Sequence, residues 1–72
     1  MITVNNCSIE FHEGITVMRL LEQLKKIDKF NRLINGTTTV IINKKIITVS
    51  DYNSRIINNE DIIFIYPALA GG

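Results

Sequence analysis

Seventy-two residues suffice for one domain, near the lower limit of what folds without disulfides or metals, and leave little room for an enclosed active site beside a core. With 46% hydrophobic and 21% charged residues the chain is globular rather than disordered, and a net charge of +1 excludes the concentrated basic surface that nucleic acid or an anionic membrane requires. The single cysteine, Cys7, excludes an intramolecular disulfide; with no charged segment leading into an apolar run and no stretch of membrane-spanning length, the protein reads as cytosolic, and as a monomer when free.

Ile2 and Val4 alternate with Thr3 and Asn5, and Ile9 and Phe11 alternate with Glu10 and His12, which predicts a β-hairpin turning at Asn5-Asn6-Cys7-Ser8 with one face buried. Glu13-Gly14 closes the second strand and Thr16 is placed to cap a helix. Val17, Leu20, Leu21, Leu24 and Ile27 share one helical face opposite Arg19, Glu22, Gln23, Lys25 and Lys26, so the main helix is expected over about residues 16–29. Its lysines, Lys25, Lys26 and Lys29, suit the negative pole of the helix dipole.

Phe30, Leu33 and Ile34 read equally as a further helical turn or as a loop pinned to the core, before Asn35-Gly36 breaks the pattern. Thr39-Val40-Ile41-Ile42 is a central strand by composition, Asn43-Lys44-Lys45 a turn, and Ile46-Ile47 a short returning strand. The polar stretch 50–55 is a loop with room for one helical turn. Asn58-Asn59-Glu60-Asp61 then turns the chain into Ile62-Ile63-Phe64-Ile65-Tyr66, a strand by its β-branched and aromatic content.

The order is ββαββ plus a final strand: an α+β domain with a mixed sheet of four to five strands on one main helix. A single amphipathic helix covers only one face of a sheet. Because residues 62–66 are all apolar, alternation leaves half of them on the uncovered side. Ile63 and Ile65 are assigned to the helix side, and Phe64 and Tyr66 to an open face for a partner. Pro67 has no N–H for a ladder and should end the strand, so residues 1–66 form the domain and residues 67–72 a flexible tail.

That tail ends Leu69-Ala70-Gly71-Gly72. Two glycines carry a carboxylate on backbone without Cβ atoms, able to thread a channel too narrow for any other residue. The free carboxylate of Gly72 is therefore the candidate working group, Gly71 and Ala70 form the narrow approach to it, and Leu69 joins Phe64 and Tyr66 as a candidate partner contact.

In this order, Met1-Ile2-Thr3-Val4-Asn5, the Phe11-His12-Glu13-Gly14-Ile15-Thr16-Val17 entry into a Leu-Leu helix, Val40-Ile41-Ile42-Asn43, Asn59-Glu60-Asp61 and Ala70-Gly71-Gly72 resemble landmarks of the ThiS/MoaD sulfur carriers. The resemblance covers essentially the whole chain and implies a ubiquitin-like β-grasp fold. It also implies that a ThiF/MoeB-type adenylating enzyme uses Mg-ATP to adenylate Gly72, after which a sulfur donor such as a cysteine desulfurase converts the acyl-adenylate to a thiocarboxylate. The chain itself would be a cosubstrate rather than an enzyme and would bind no cofactor. The short chain and its first hairpin look like the ThiS branch, which supplies a ThiG-type thiazole synthase in thiamin biosynthesis. Tyr66-Pro67-Ala68 is similar instead to the stretch before the tail in MoaD, partner of the molybdopterin synthase large subunit. A ubiquitin-like protein modifier and a non-catalytic β-grasp interaction module with an idle tail are the further alternatives.

No other residues assemble a site in the sequence. His12 has no second ligand at metal spacing, Cys7 has no basic cluster to lower its pKa, and there is neither a phosphate-binding glycine loop nor a Ser-His-Asp set. Glu60 and Asp61 suit a turn on conformational grounds, with a basic partner rim as the other use for them.

Overall fold

The structure is a computed structural model that describes residues 1–35 and 38–67. Strands β1 (Ile2–Val4) and β2 (Cys7–Ile9) form the first hairpin, helices α1 (Val17–Leu24) and α2 (Asp28–Asn31) follow, and β3 (Thr39–Ile42) and β4 (Lys45–Ile47) form the second hairpin. A 3₁₀ turn at Val49–Asp51 leads on to β5 (Ile62–Tyr66). The sheet order is β2-β1-β5-β3-β4, with β5 parallel to β1 and antiparallel to β3. The chain thus places its last strand between two hairpins.

One face of this sheet is the core. Ile2 and Val4 from β1, Val40 and Ile42 from β3, and Ile63 and Ile65 from β5 are all buried, against Val17, Leu20, Leu21 and Leu24 of α1. The assignment of Ile63 and Ile65 to the helix side holds: both are fully enclosed, at 0% exposure. The predicted strand limits at Thr39–Ile42 and Ile62–Tyr66 also stand.

Lys45, read as part of the second turn, opens β4 opposite Ile42, and two larger sequence expectations change. The main helix stops at Leu24 rather than running to residue 29: Ile27 adopts extended backbone (φ −104°, ψ 121°) and a second short helix starts at Asp28. At about 100° per residue, Phe30 on a continued helix would lie roughly 120° around from Leu24, off the apolar stripe. The break at Ile27 instead turns Phe30 into the core, 2% exposed, and leaves Ile27 outside at 38%. The first hairpin also closes sooner than its alternation suggests. Asn5 and Asn6 both take positive φ (50° and 67°), as a two-residue type I′ turn requires, so Cys7 belongs to β2 opposite Val4, and Phe11 lies beyond the strand.

The start of α1 is tied down by the crossover from the second hairpin. Thr16 caps as expected, its Oγ1 accepting from Arg19 N–H at 3.3 Å. Val17 N–H donates to Arg55 O at 3.0 Å and Met18 N–H to Tyr52 O at 2.9 Å, so helix donors that would otherwise be orphaned are met by the 50s segment. This segment therefore packs on the helix and leaves the far face of the sheet uncovered.

Tyr52 anchors that segment. Its ring is buried and its hydroxyl donates to Thr38 O at 2.9 Å. Burial disfavours the phenolate and raises its pKa above the ordinary 10.0. On alkaline titration the unfolded chain then loses this proton first, so the contribution of Tyr52 is complete below the ordinary value and fades as pH rises through the native one. Tyr52→Phe is expected to cost about 1 kcal/mol at neutral pH in urea unfolding. The same variant should remove the Tyr52 share of the alkaline loss of stability.

Candidate functional site

The open face of the sheet follows from the pairing. Ile41 lies opposite Phe64 and opposite Ile46, and Thr39 lies opposite Tyr66. Ile46 is 69% exposed, Ile62 53% and Tyr66 46%, with Phe64 and Ile41 half-buried. Phe64 and Tyr66, two residues apart on β5, point the same way and their rings lie parallel, 6.2 Å between centroids with 1° between planes. Next to them is a groove of about 310 Å³ lined by Ile41, Asn43, Lys44, Ile62 and Phe64. The result is a contiguous apolar surface with one lysine at its rim, which is the form of a partner-binding site.

Phe64 and Tyr66 thus stand where the sequence placed them, on the uncovered face and directly ahead of the tail. Leu69, Ala70, Gly71 and Gly72, the remaining candidate residues, lie outside the described residues. Ile41 and Ile46 extend the patch and were not singled out from the sequence. Their signal was weak, because a strand written Thr-Val-Ile-Ile is apolar on both faces and does not say which isoleucine is covered.

The other candidates separate from this surface. Asp61 turns inward and is buried, its carboxylate accepting from Asn58 N–H at 2.8 Å and Asn43 Nδ2 at 3.0 Å. Its role is to close the turn at residues 58–61, where Glu60 takes φ 68° and stays exposed. His12 is exposed and Cys7 is half-buried on the outermost strand. Among the described residues no group of three His, Cys, Asp or Glu side chains could hold a metal ion, and no helix is long and apolar enough to cross a membrane.

A β-grasp sheet with one covered and one open face, whose central strand leads into the last residues of the chain, defines a small ubiquitin-like domain. The chain belongs to the ThiS family, whose model matches residues 2–72. Among solved structures it is similar to the crystal structure of a thiamine biosynthesis protein (ThiS) from Geobacter metallireducens. That likeness has a TM-score of 0.73 at 20% identity and covers 99% of this chain and 97% of that one. An NMR solution structure of a thiamine biosynthesis protein from the same organism gives a TM-score of 0.68 at 20% identity, covering 99% and 86%. No curated protein sequence matches the chain. At this identity the two structures speak for the fold, and the β-grasp expectation holds. Family membership supports a sulfur-carrier role in thiamine biosynthesis.

The two faces of β5 are expected to respond differently to substitution. Ile63→Ala, on the core side, should cost about 2–5 kcal/mol. Ile62→Thr keeps a β-branched side chain on the open face and should stay within about 1 kcal/mol of wild type. Thermal unfolding of the two variants checks the assignment.

Proposed function

We propose that this chain carries sulfur for thiazole formation as a thiocarboxylate on the terminal carboxylate of Gly72. A carboxylate is a poor electrophile. Its activation requires an adenylating enzyme of the ThiF/MoeB type, which uses Mg-ATP to join AMP to the Gly72 carboxyl and releases pyrophosphate. The persulfide of a sulfur donor such as a cysteine desulfurase then attacks the acyl-adenylate and expels AMP, and a reducing thiol cleaves the S–S bond of the resulting acyl disulfide, leaving a thiocarboxylate that is the sulfur nucleophile for a ThiG-type thiazole synthase.

The observation that carries this reading is the position of β5. It is paired on both edges, shows aromatic side chains to solvent on one face, and reaches Pro67 immediately before the segment that ends in Gly71 and Gly72. The open face holds the domain against an enzyme while residues 67–72 enter the active site. In this reading Phe64, Tyr66 and Leu69 dock, Ala70 and Gly71 thread, and Gly72 is modified. The division into a domain over residues 1–66 and a tail over residues 67–72 belongs to the same proposal.

A second reading rests on Tyr66-Pro67, which favours delivery to a molybdopterin synthase large subunit by the same chemistry. The enzyme that co-purifies with the thiocarboxylate form separates the two. Deleting Gly72 is expected to abolish ATP–pyrophosphate exchange by the cognate adenylating enzyme while leaving thermal unfolding unchanged; exchange that survives the deletion overturns the carrier reading. Phe64→Ala and Tyr66→Ala should each weaken docking by about 1–2 kcal/mol, read as a raised KM for the chain in the same assay.

A further inference from the structure

Along its β1 side, β5 is held by a parallel ladder in which Thr3 N–H donates to Asp61 O at 3.1 Å and Asn5 N–H to Ile63 O at 2.9 Å. At Asn5 the chain swings into its hairpin turn, so no residue of β1 stands beside Ile65. The Asn5 side chain fills that place. Its Oδ1 accepts from Ile65 N–H at 2.8 Å and its Nδ2 donates to Ile65 O at 3.2 Å. One side-chain amide thus supplies the acceptor and the donor that a further peptide unit of β1 would have supplied. Only Asn and Gln side chains carry the acceptor and the donor in the C=O and N–H of an amide, and Asn also tolerates the left-handed backbone of this turn.

The start of β5 provides the contrast. Asn43, at the equivalent place in the second hairpin turn with φ 50°, accepts from Ile62 N–H at 2.9 Å. Its Nδ2 goes instead to Asp61 Oδ1, so Ile62 receives a single side-chain bond. Asn43 N–H completes the contact by donating to Ile62 O at 2.8 Å, so both ends of β5 are held at two points, and at the end that leads to Pro67 both bonds come from one side chain.

We propose that Asn5 is a positioning residue for the carrier reaction, its hold on Ile65 fixing the point and direction at which the chain leaves the sheet after Tyr66. Asn5 touches no reacting atom. On its other edge β5 pairs with β3 as far as Tyr66, so loss of the hold would leave Ile65 and Tyr66 fixed along one edge only, and each residue loosened in this way adds conformations that must be lost when the carboxylate is placed against ATP. The effect on turnover rests on the carrier reading above, whereas the hold on the strand end does not.

Asn5→Gly tests this, because glycine keeps the positive φ of the turn and removes both side-chain bonds. Ile57→Val, which trims one buried methyl group away from the tail end, serves as the comparison matched in thermal stability. Backbone relaxation should show Tyr66 less ordered in Asn5→Gly, with faster amide exchange at Ile65, and neither change in Ile57→Val. In the adenylation assay Asn5→Gly should lose about tenfold in kcat/KM, chiefly through KM, while Ile57→Val keeps the wild-type value. Asn5→Asp retains only the acceptor and should fall between. Wild-type order at Tyr66 in Asn5→Gly, or an equal loss in Ile57→Val, overturns the proposal. If the wild-type chain is not adenylated at all, the carrier reading fails and relaxation at Tyr66 alone decides whether Asn5 fixes the strand end.

Discussion

A strand in the middle of a sheet has both edges occupied, and in a chain this short only one strand can hold together two hairpins that do not otherwise touch in the sheet. β5 does so by pairing with β1 on one side and β3 on the other. Each of its residues is therefore committed. Alternate N–H and C=O groups serve the two neighbours, and alternate side chains serve the helix and the open face. A one-residue slip would carry Ile63 and Ile65 to solvent and push Phe64 and Tyr66 under α1. Register in β5 is thus a condition both for the core and for the open apolar surface.

Asparagines stabilise that register where regular pairing runs out. Both hairpin turns begin with an asparagine at φ 50°, a conformation Asn accepts more readily than most residues. Both use the side chain left over from the turn to bond the backbone of β5, Asn43 at Ile62 and Asn5 at Ile65. The buried carboxylate of Asp61 joins the first of these to the turn before the strand. The polar residues at these bends complete the hydrogen bonding of the central strand at each end.

Much of this was legible from periodicity. Strict alternation and the Leu20-Leu21-Leu24 stripe gave the elements and their buried faces, and Pro67 marked the strand end. The misreadings came where local pattern competes with long-range packing. Ile27 continues the helical stripe on paper, yet the core takes Phe30, and no count along the chain reveals which of two apolar side chains the sheet has room for. Asn5 was read as part of a turn. Its second use depends on Ile65, sixty positions away, and only the fold brings the two together. The place of Phe64 and Tyr66 on the open face was foreseen because a single helix cannot cover both faces of a sheet, whereas Ile41 and Ile46 joined them only once the strand order was known.

The parallel pairing of β1 with β5 has a geometric consequence for handling the protein. Parallel strands start at the same end, so Met1, whose ammonium donates to Asn59 Oδ1 at 2.7 Å, sits beside the entry to β5 and a strand length from Tyr66. At about 3.3 Å per residue that separation is on the order of 15 Å. Bulk fused ahead of Met1 would lie at the end of the sheet opposite Tyr66. Circular permutation, by contrast, would need a linker long enough to run back along the whole sheet.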